Sequence, residues 1–215
     1  SSPTPRRRHH EQRRPPRLLV LSRNYPNSLF PGLGLWAQRL VRECARTCAT
    51  TVISPVPYCP PWLGLGEYAR FRSIDRQRSD DGIPVFHPRF VVGPGRSCYA
   101  SEATAYYLGI RALADRLYAQ GAFNLIHAHF TYPDGVVAAR LGARYGVPVL
   151  VTEHAPWRPN WMDASKIVCR QAVWAARRLQ FHIAVSRSVR ATIAEFTGSS
   201  ERIRVIPLGV DGTFF

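Results

Sequence analysis

The run from Asn124 to Ala155, NLIHAHFTYPDGVVAARLGARYGVPVLVTEHA, constrains the fold more than any other part of this chain. It reads as strand, helix and strand: two short apolar runs flank a stretch whose apolar residues recur at helical spacing. Two strands joined through a helix pair in parallel, so the unit predicts an α/β domain. Its histidines fall at strand ends. In an open α/β sheet, ligands bind outside the carboxyl ends of the strands, which brings His127 and His129 after one strand and His154 after the next to one crevice.

The rest of the chain extends the pattern. Leu18 to Ser22 is a buried first strand, followed by a polar turn over 23–33 and an amphipathic helix over 34–48, with Leu40, Val41, Cys44, Ala45 and Cys48 facing inward. Thr50 to Ser54 is a second strand. Pro55, Pro57, Pro60 and Pro61 then forbid regular structure and predict a long irregular loop. A strand region over 83–92 and a helix over 99–120 lead into the βαβ unit. A helix over 163–179, a strand over 181–185, a helix from Arg187 and a strand over 204–206 follow it. The alternation predicts a single Rossmann-like, doubly wound, mostly parallel sheet with helices on both faces and right-handed crossovers, spanning 18–206. Residues 1–17, SSPTPRRRHHEQRRPPR, lack apolar anchors and are expected to form a disordered basic tail.

Charge narrows the partners. The net charge is +15, and the tail's six arginines against Glu11 leave +10 on the remaining residues. Such a surface suits an anionic partner: phospholipid headgroups, nucleotide phosphates or nucleic acid. Nucleic acid is disfavoured, because stacking on bases needs aromatics interleaved with the basic residues and the tail has none. Cys44, Cys48, Cys59, Cys98 and Cys169 are an odd, scattered set without CxxC spacing, which argues against a disulfide framework and a zinc site and for a reducing compartment. No apolar run approaches the roughly 18–20 residues of a membrane span, and the N-terminus has no signal-peptide core. The expectation is a cytoplasmic protein, peripheral at most.

Gly32, Gly34 and Ala37 spell GxGxxA, the dinucleotide fingerprint. Its first glycine, however, lies ten residues past Ser22, and the second strand ends in Ser54-Pro55 without the acidic ribose ligand, so a nicotinamide cofactor is not expected. Two readings remain: a glycine loop entering a helix N-terminus, where free N–H groups favour a phosphate, and a glycine turn for close packing. A metal on His127, His129 and His154 is conceivable, but no carboxylate spacing supports it and no metal is predicted. His127 reads as a hydrogen-bonded core histidine; His129 and His154 are better placed to meet a ligand. Glu153 should point away from His154. Ser186, lacking GxSxG, reads as the N-cap of the next helix.

Taken together, FPGLGLWAQRLV, the βαβ unit, IAVSRSVRATI and the terminal RVIPLGVDGTFF resemble the N-terminal domain of GT-B-fold glycosyltransferases of family GT4. ISPVPYCPPW and HPRF look most like its cell-surface polysaccharide branch, including teichuronic-acid-type transferases. The resemblance implies two Rossmann-like domains facing across a cleft, a nucleotide-sugar donor held mainly by the C-terminal one, and transfer with retention of configuration. Residues 207–215 would begin the hinge, with Leu208 replacing the usual asparagine, and the donor domain would be supplied in cis or in trans. The loop with Gly32 and Gly34 would lie against the donor diphosphate, Gly34 matching the family glycine. His154 would contact the transferred sugar as the catalytic residue, orienting rather than attacking it. His129, Thr131 and Tyr132 would shape the acceptor pocket. Beyond the nucleotide-sugar substrate no cofactor is implied. The acceptor would be lipid-linked or polysaccharide, in cell-envelope glycan synthesis at the inner face of the cytoplasmic membrane. The alternative is a non-catalytic module that uses the same crevice or basic surface to bind a partner protein or an anionic membrane.

Overall fold

The computed structural model describes residues 15–62, 66–93, 99–157 and 165–209. The first strand, β1 (Arg17–Leu21), buries all four side chains from Leu18 to Leu21. Only a strand paired on both edges and covered on both faces can do so. β1 lies between β2 (Ala49–Ile53) and β7 (Leu125–His129), parallel to both. Outward from β2 come β5 (Ile83–Phe86), parallel, and β4 (Gln77–Asp80), antiparallel. Outward from β7 come β8 (Val149–Glu153), β9 (Phe181–Ala184) and β10 (Ile203–Val205), all parallel. The eight strands therefore run in the order β10-β9-β8-β7-β1-β2-β5-β4. The chain leaves β1 in one direction and returns on its other side, so the switch point that opens a ligand crevice falls between β1 and β7.

Strand alternation divides the core between the two faces. Leu18 and Val20 pack with Val52 and Val85 under Ala37 and Val41 of α1 (Leu35–Ala45). Leu19, Leu21, Ile126, Ala128 and Val151 face the opposite way, against α2 (Glu102–Ala119) and α3 (Val136–Tyr145), with α4 (Lys166–Ala176) beside them. A third cluster joins Ala184 and Ile203 to Val189 and Ile193 of α5 (Arg187–Thr197), and includes the fully buried Trp157. Ser186 is the N-cap of α5, its Oγ accepting from the Val189 N–H at 3.2 Å. The expected α/β architecture, with helices on both faces, is the one observed.

Three local features differ from expectation. The strand region over 83–92 divides at Pro88 into β5 and the short β6 (Arg89–Phe90). β6 pairs in parallel with β3 (Val56–Pro57), inside the segment expected to be irregular. Pro57 is tolerated because the bonds on that edge come from its neighbours: the Val56 and Tyr58 N–H groups donate to the Pro88 and Phe90 carbonyls. β4, read as loop, forms a hairpin with β5 through Asp81 and Gly82, both at positive φ. Asp-Gly is the turn such hairpins demand, and the polar run QRSD hid the strand before it. The hairpin is fastened by buried Asp80, which accepts from Tyr25 Oη (2.9 Å), Gln38 Nε2 (2.8 Å) and Arg42 (2.7 Å). Burial works against ionisation of Asp80, but those donors hold its carboxyl below the usual range.

The first strand begins one residue earlier than expected, since Arg17 already belongs to β1 and its N–H donates to Asn124 Oδ1 at 2.8 Å. Residues 1–14 of that tail, Cys98, and residues 210–215 of the expected hinge lie outside the described residues. Among the described residues no helix is long and apolar enough to cross a membrane.

Candidate active site

β7 and β8 end side by side, His129 opposite Thr152. Alternation turns His127 and His129 toward the α1 side of the sheet. His127 is satisfied inside it, with Nε2 at 2.8 Å from Thr152 Oγ1. His154 follows the end of β8, and its Nε2 lies 3.0 Å from His129 Nδ1. Trp36, the second residue of α1, covers the pair, its ring centroid 3.8 Å from that of His154 and 5.3 Å from that of His129. Phe130 completes the cluster, edge-on to Trp36 at 5.6 Å. It does so at φ 70, a conformation that costs a non-glycine residue about 1–3 kcal/mol and persists only where surrounding bonds impose it. Here the Phe130 N–H donates to the Thr152 carbonyl, and its own carbonyl accepts from Gly135.

Gly34 explains how α1 reaches this position. It caps the helix at φ 67, and a Cβ there would lie 1.9 Å from the carbonyl oxygen of Asn24. Without a side chain, the helix start can seat directly on the loop leaving β1. Gly32 has no such constraint, since a Cβ would meet nothing within 4 Å. The opening N–H groups of α1 lack preceding helical carbonyls and carry the positive end of the helix dipole to the edge of the histidine crevice.

Burial pushes His127 and His154 down to about 4, and His129 well below its ordinary value. All three are neutral at neutral pH. A neutral His129–His154 pair shares one N–H between the facing nitrogens. The outer nitrogens, His129 Nε2 and His154 Nδ1, are buried and have no hydrogen-bond partner. In either tautomer one outer nitrogen is a donor and the other an acceptor. The pair is thus built to orient a polar group, not to supply charge.

Glu153 does point to the opposite face, yet it holds the crevice together. Its Oε2 accepts from the Thr131 N–H (2.9 Å), Thr131 Oγ1 (2.8 Å) and Trp157 Nε1 (2.9 Å), and its Oε1 from the His154 N–H (3.2 Å). Burial raises its pKa while these donors oppose the rise. His182 Nε2, 2.9 Å from Thr131 Oγ1, extends the chain of bonds. Thr131 is therefore turned into this buried network and does not line the cleft, a correction to the acceptor-pocket expectation. Its hydroxyl is worth more as a link between two buried polar groups than as a wall. His129 is likewise fully buried, behind His154 rather than at a surface. Tyr132 does line a cleft of about 200 Å³, together with Arg23, Phe130, Asp134, Glu153 and Ala155, and its hydroxyl donates to the Tyr99 carbonyl.

Two features escaped the sequence. Asp134 is buried against this cleft, its Oδ1 accepting from the Arg23 N–H at 2.8 Å and Tyr106 Oη at 3.1 Å; burial pushes its carboxyl up to about 7. An acidic residue in the first turn before α3 was the available cue. The second is a larger cleft of about 520 Å³ that shares Arg23, Asn24 and Tyr99 with the first. Its walls come from loops far apart in the chain, so no local pattern announces it. Among the described residues no group of three or more His, Cys, Asp or Glu side chains is arranged to hold a metal.

Comparison with known proteins bears on the family and the fold. Residues 31–214 match the model of Glycosyltransferase Family 4. TuaC of Bacillus subtilis (strain 168), which carries the name of a teichuronic acid biosynthesis glycosyltransferase, is 25% identical over 202 residues, covering 90% of this chain and 50% of TuaC. The chain thus spans about half the length of that relative. Anabaena HepE, solved with UDP and glucose, superposes with a TM-score of 0.56 at 19% identity, over 91% of this chain and 45% of HepE. The UDP-GlcNAc 2-epimerase of Neisseria meningitidis, solved with UDP-GlcNAc, superposes with a TM-score of 0.50 at 12% identity, over 87% of this chain and 45% of that one. The last two likenesses concern fold, and the fold alone serves more than one chemistry. With the family model matching most of its length, the chain belongs to Glycosyltransferase Family 4.

Proposed function

We propose that this chain forms the acceptor-side half of a retaining glycosyltransferase that moves a sugar from a nucleotide-sugar to a lipid-linked or polysaccharide acceptor in cell-envelope glycan synthesis. The observation that carries this reading is the neutral His129–His154 pair under Trp36, beside the N-terminus of α1 at the switch point of the sheet. Sugar transfer develops positive charge at the anomeric carbon and negative charge on the departing diphosphate. The α1 N-terminus, entered through Gly32 and Gly34, suits the diphosphate, which helix N-termini favour. His154, held in place through His129 and Glu153, orients the sugar by a hydrogen bond from a preorganised group. Tyr132, which lines the small cleft, is assigned to the acceptor pocket. UDP and a sugar in HepE support a nucleotide-sugar donor, and the name of TuaC supports an envelope polysaccharide. The donor domain completes the cleft, in cis or in trans, and the positive charge suits an anionic membrane face at which the acceptor is presented.

The test is a transfer assay with nucleotide-sugars on the chain together with its donor domain, in cis or in trans, comparing wild type with His154→Ala. Loss of an oriented hydrogen-bonding group should lower turnover on the order of 10²-fold, far more than it weakens folding. Parallel loss of turnover and stability would remove His154 from the chemistry. Absence of both transfer and nucleotide binding with the donor domain present would favour the non-catalytic module.

A further inference from the structure

The histidine crevice leaves the 520 Å³ cleft unexplained. Its lining is polar at one end and mostly apolar at the other, where Asn27 is tied to Phe30 by backbone and side-chain bonds. Arg23, Asn24 and Tyr99 are shared with the small cleft that reaches Phe130, Glu153 and Ala155. Ser101 and Glu102 lie beside them, Glu102 in an ion pair with Arg23. Away from this polar end the walls are Phe30, Leu33, Phe71 and Val91, with the Phe30 and Phe71 rings 5.9 Å apart. Phe30, Leu33 and Val91 are exposed, Val91 by 68%. Beyond Pro57, which also lines the cleft, Tyr58 is exposed and Trp62 is 80% exposed. Arg70, Arg72 and Arg76 are exposed along and just after the short helical stretch Gly66–Ser73, which contributes Phe71.

Single exposed apolar residues are ordinary on a protein surface, but several gathered at one cavity mouth and flanked by arginines mark an interaction site. Aromatic residues and arginines are the side chains that settle at a lipid–water interface with anionic headgroups. We propose that this cleft takes the apolar chain of an amphiphilic acceptor drawn from an anionic lipid surface, with the polar head toward the His154 crevice. The proposal rests on the transferase reading and narrows its acceptor to the lipid-linked class.

The full chain is titrated with n-alkyl phosphates of increasing chain length, with inorganic phosphate as control. Each methylene buried in the cleft contributes about 0.8 kcal/mol, so affinity should rise about fourfold per added carbon. Val91→Asp and Phe71→Asp should flatten the series. Val91 is exposed, so its variant tests the cleft without disturbing the core. In parallel, the wild type should bind vesicles of phosphatidylglycerol and phosphatidylcholine in preference to phosphatidylcholine alone. A flat wild-type series, as expected if another part of the chain or a polar acceptor fills the cleft, would overturn the proposal. So would a steep series that both variants leave unchanged, or indifference to vesicle charge. Sugar transfer to a soluble saccharide alongside a flat series would sink the lipid cleft and spare the transferase. A steep, variant-sensitive series without transfer from any nucleotide-sugar would do the reverse.

Discussion

Replacing Gly34 by alanine should destabilise the domain by about 3 kcal/mol, and replacing Gly32 should not. At Gly34 the backbone sits at φ 67, where a Cβ costs an L-residue roughly 1–2 kcal/mol. The added carbon would also stand 1.9 Å from the Asn24 oxygen and 2.5 Å from its carbonyl carbon. Both are backbone atoms, so relief requires the helix start to lift off the β1 loop, an overpacking cost of about 1–3 kcal/mol. For a domain of this size each kcal/mol moves the thermal midpoint by about 2–4 °C, which predicts a fall of about 6–12 °C. Gly32 has open space and a φ outside the left-handed region, so alanine there should be neutral, or stabilising by about 0.4–1 kcal/mol through the unfolded chain. The assay is thermal unfolding of the two variants beside wild type. If they melt together, close approach to Asn24 is not what Gly34 provides, and the seating of Trp36 over His154 has another cause.

Glu153→Gln should lower turnover with little change in KM and cost about 1–3 kcal/mol, because an amide cannot accept from Thr131, Trp157 and the His154 N–H together; unchanged kinetics would remove Glu153 as a positioning residue. Asp134, raised to about 7, stabilises the fold through its neutral form, fully at low pH and progressively less as pH rises from about 4 to 7. Asp134→Asn should therefore flatten the loss of stability between about pH 4, where the unfolded aspartate ionises, and pH 7, measured by denaturant unfolding across pH; an unaltered slope across that window would contradict the assignment. His182 and His127, lowered to about 3 and about 4, act with opposite sign: their contribution is present above the unfolded histidine range and is lost as pH falls toward those values. His182→Gln, which keeps a donor for Thr131, should make the acid limb shallower by nearly one proton; a parallel limb would show that His182 is not buried neutral.

The fold class and the alternation of strands and helices were largely legible because they rest on patterns a few residues long. The apolar runs at Leu18–Leu21 and Val149–Val151 and the helical period of 102–119 are local, and the right-handed crossover rule turns them into a topology. Ser186 as N-cap and His127 as a bonded core histidine were readable for the same reason. β4 was not, since its residues are polar and its strand identity comes from the partner β5 and the Asp81-Gly82 turn. The family resemblance placed Thr131 in the acceptor pocket. Its role in the Glu153 and His182 network depends on residues 22 and 51 positions away.

The histidines at the ends of two parallel strands were bound by the sequence alone to one edge of one sheet, because strand period and parallel pairing leave nowhere else for them. Which of them touches which, and what covers them, was decided only in three dimensions. Trp36 reaches His154 because Gly34 permits the helix start to rest on Asn24, a contact between segments that no periodicity relates. Burial then makes the histidines neutral and the carboxyl of Asp134 reluctant to ionise. Desolvation is a property of everything packed around a group, and it exists only once the chain has folded.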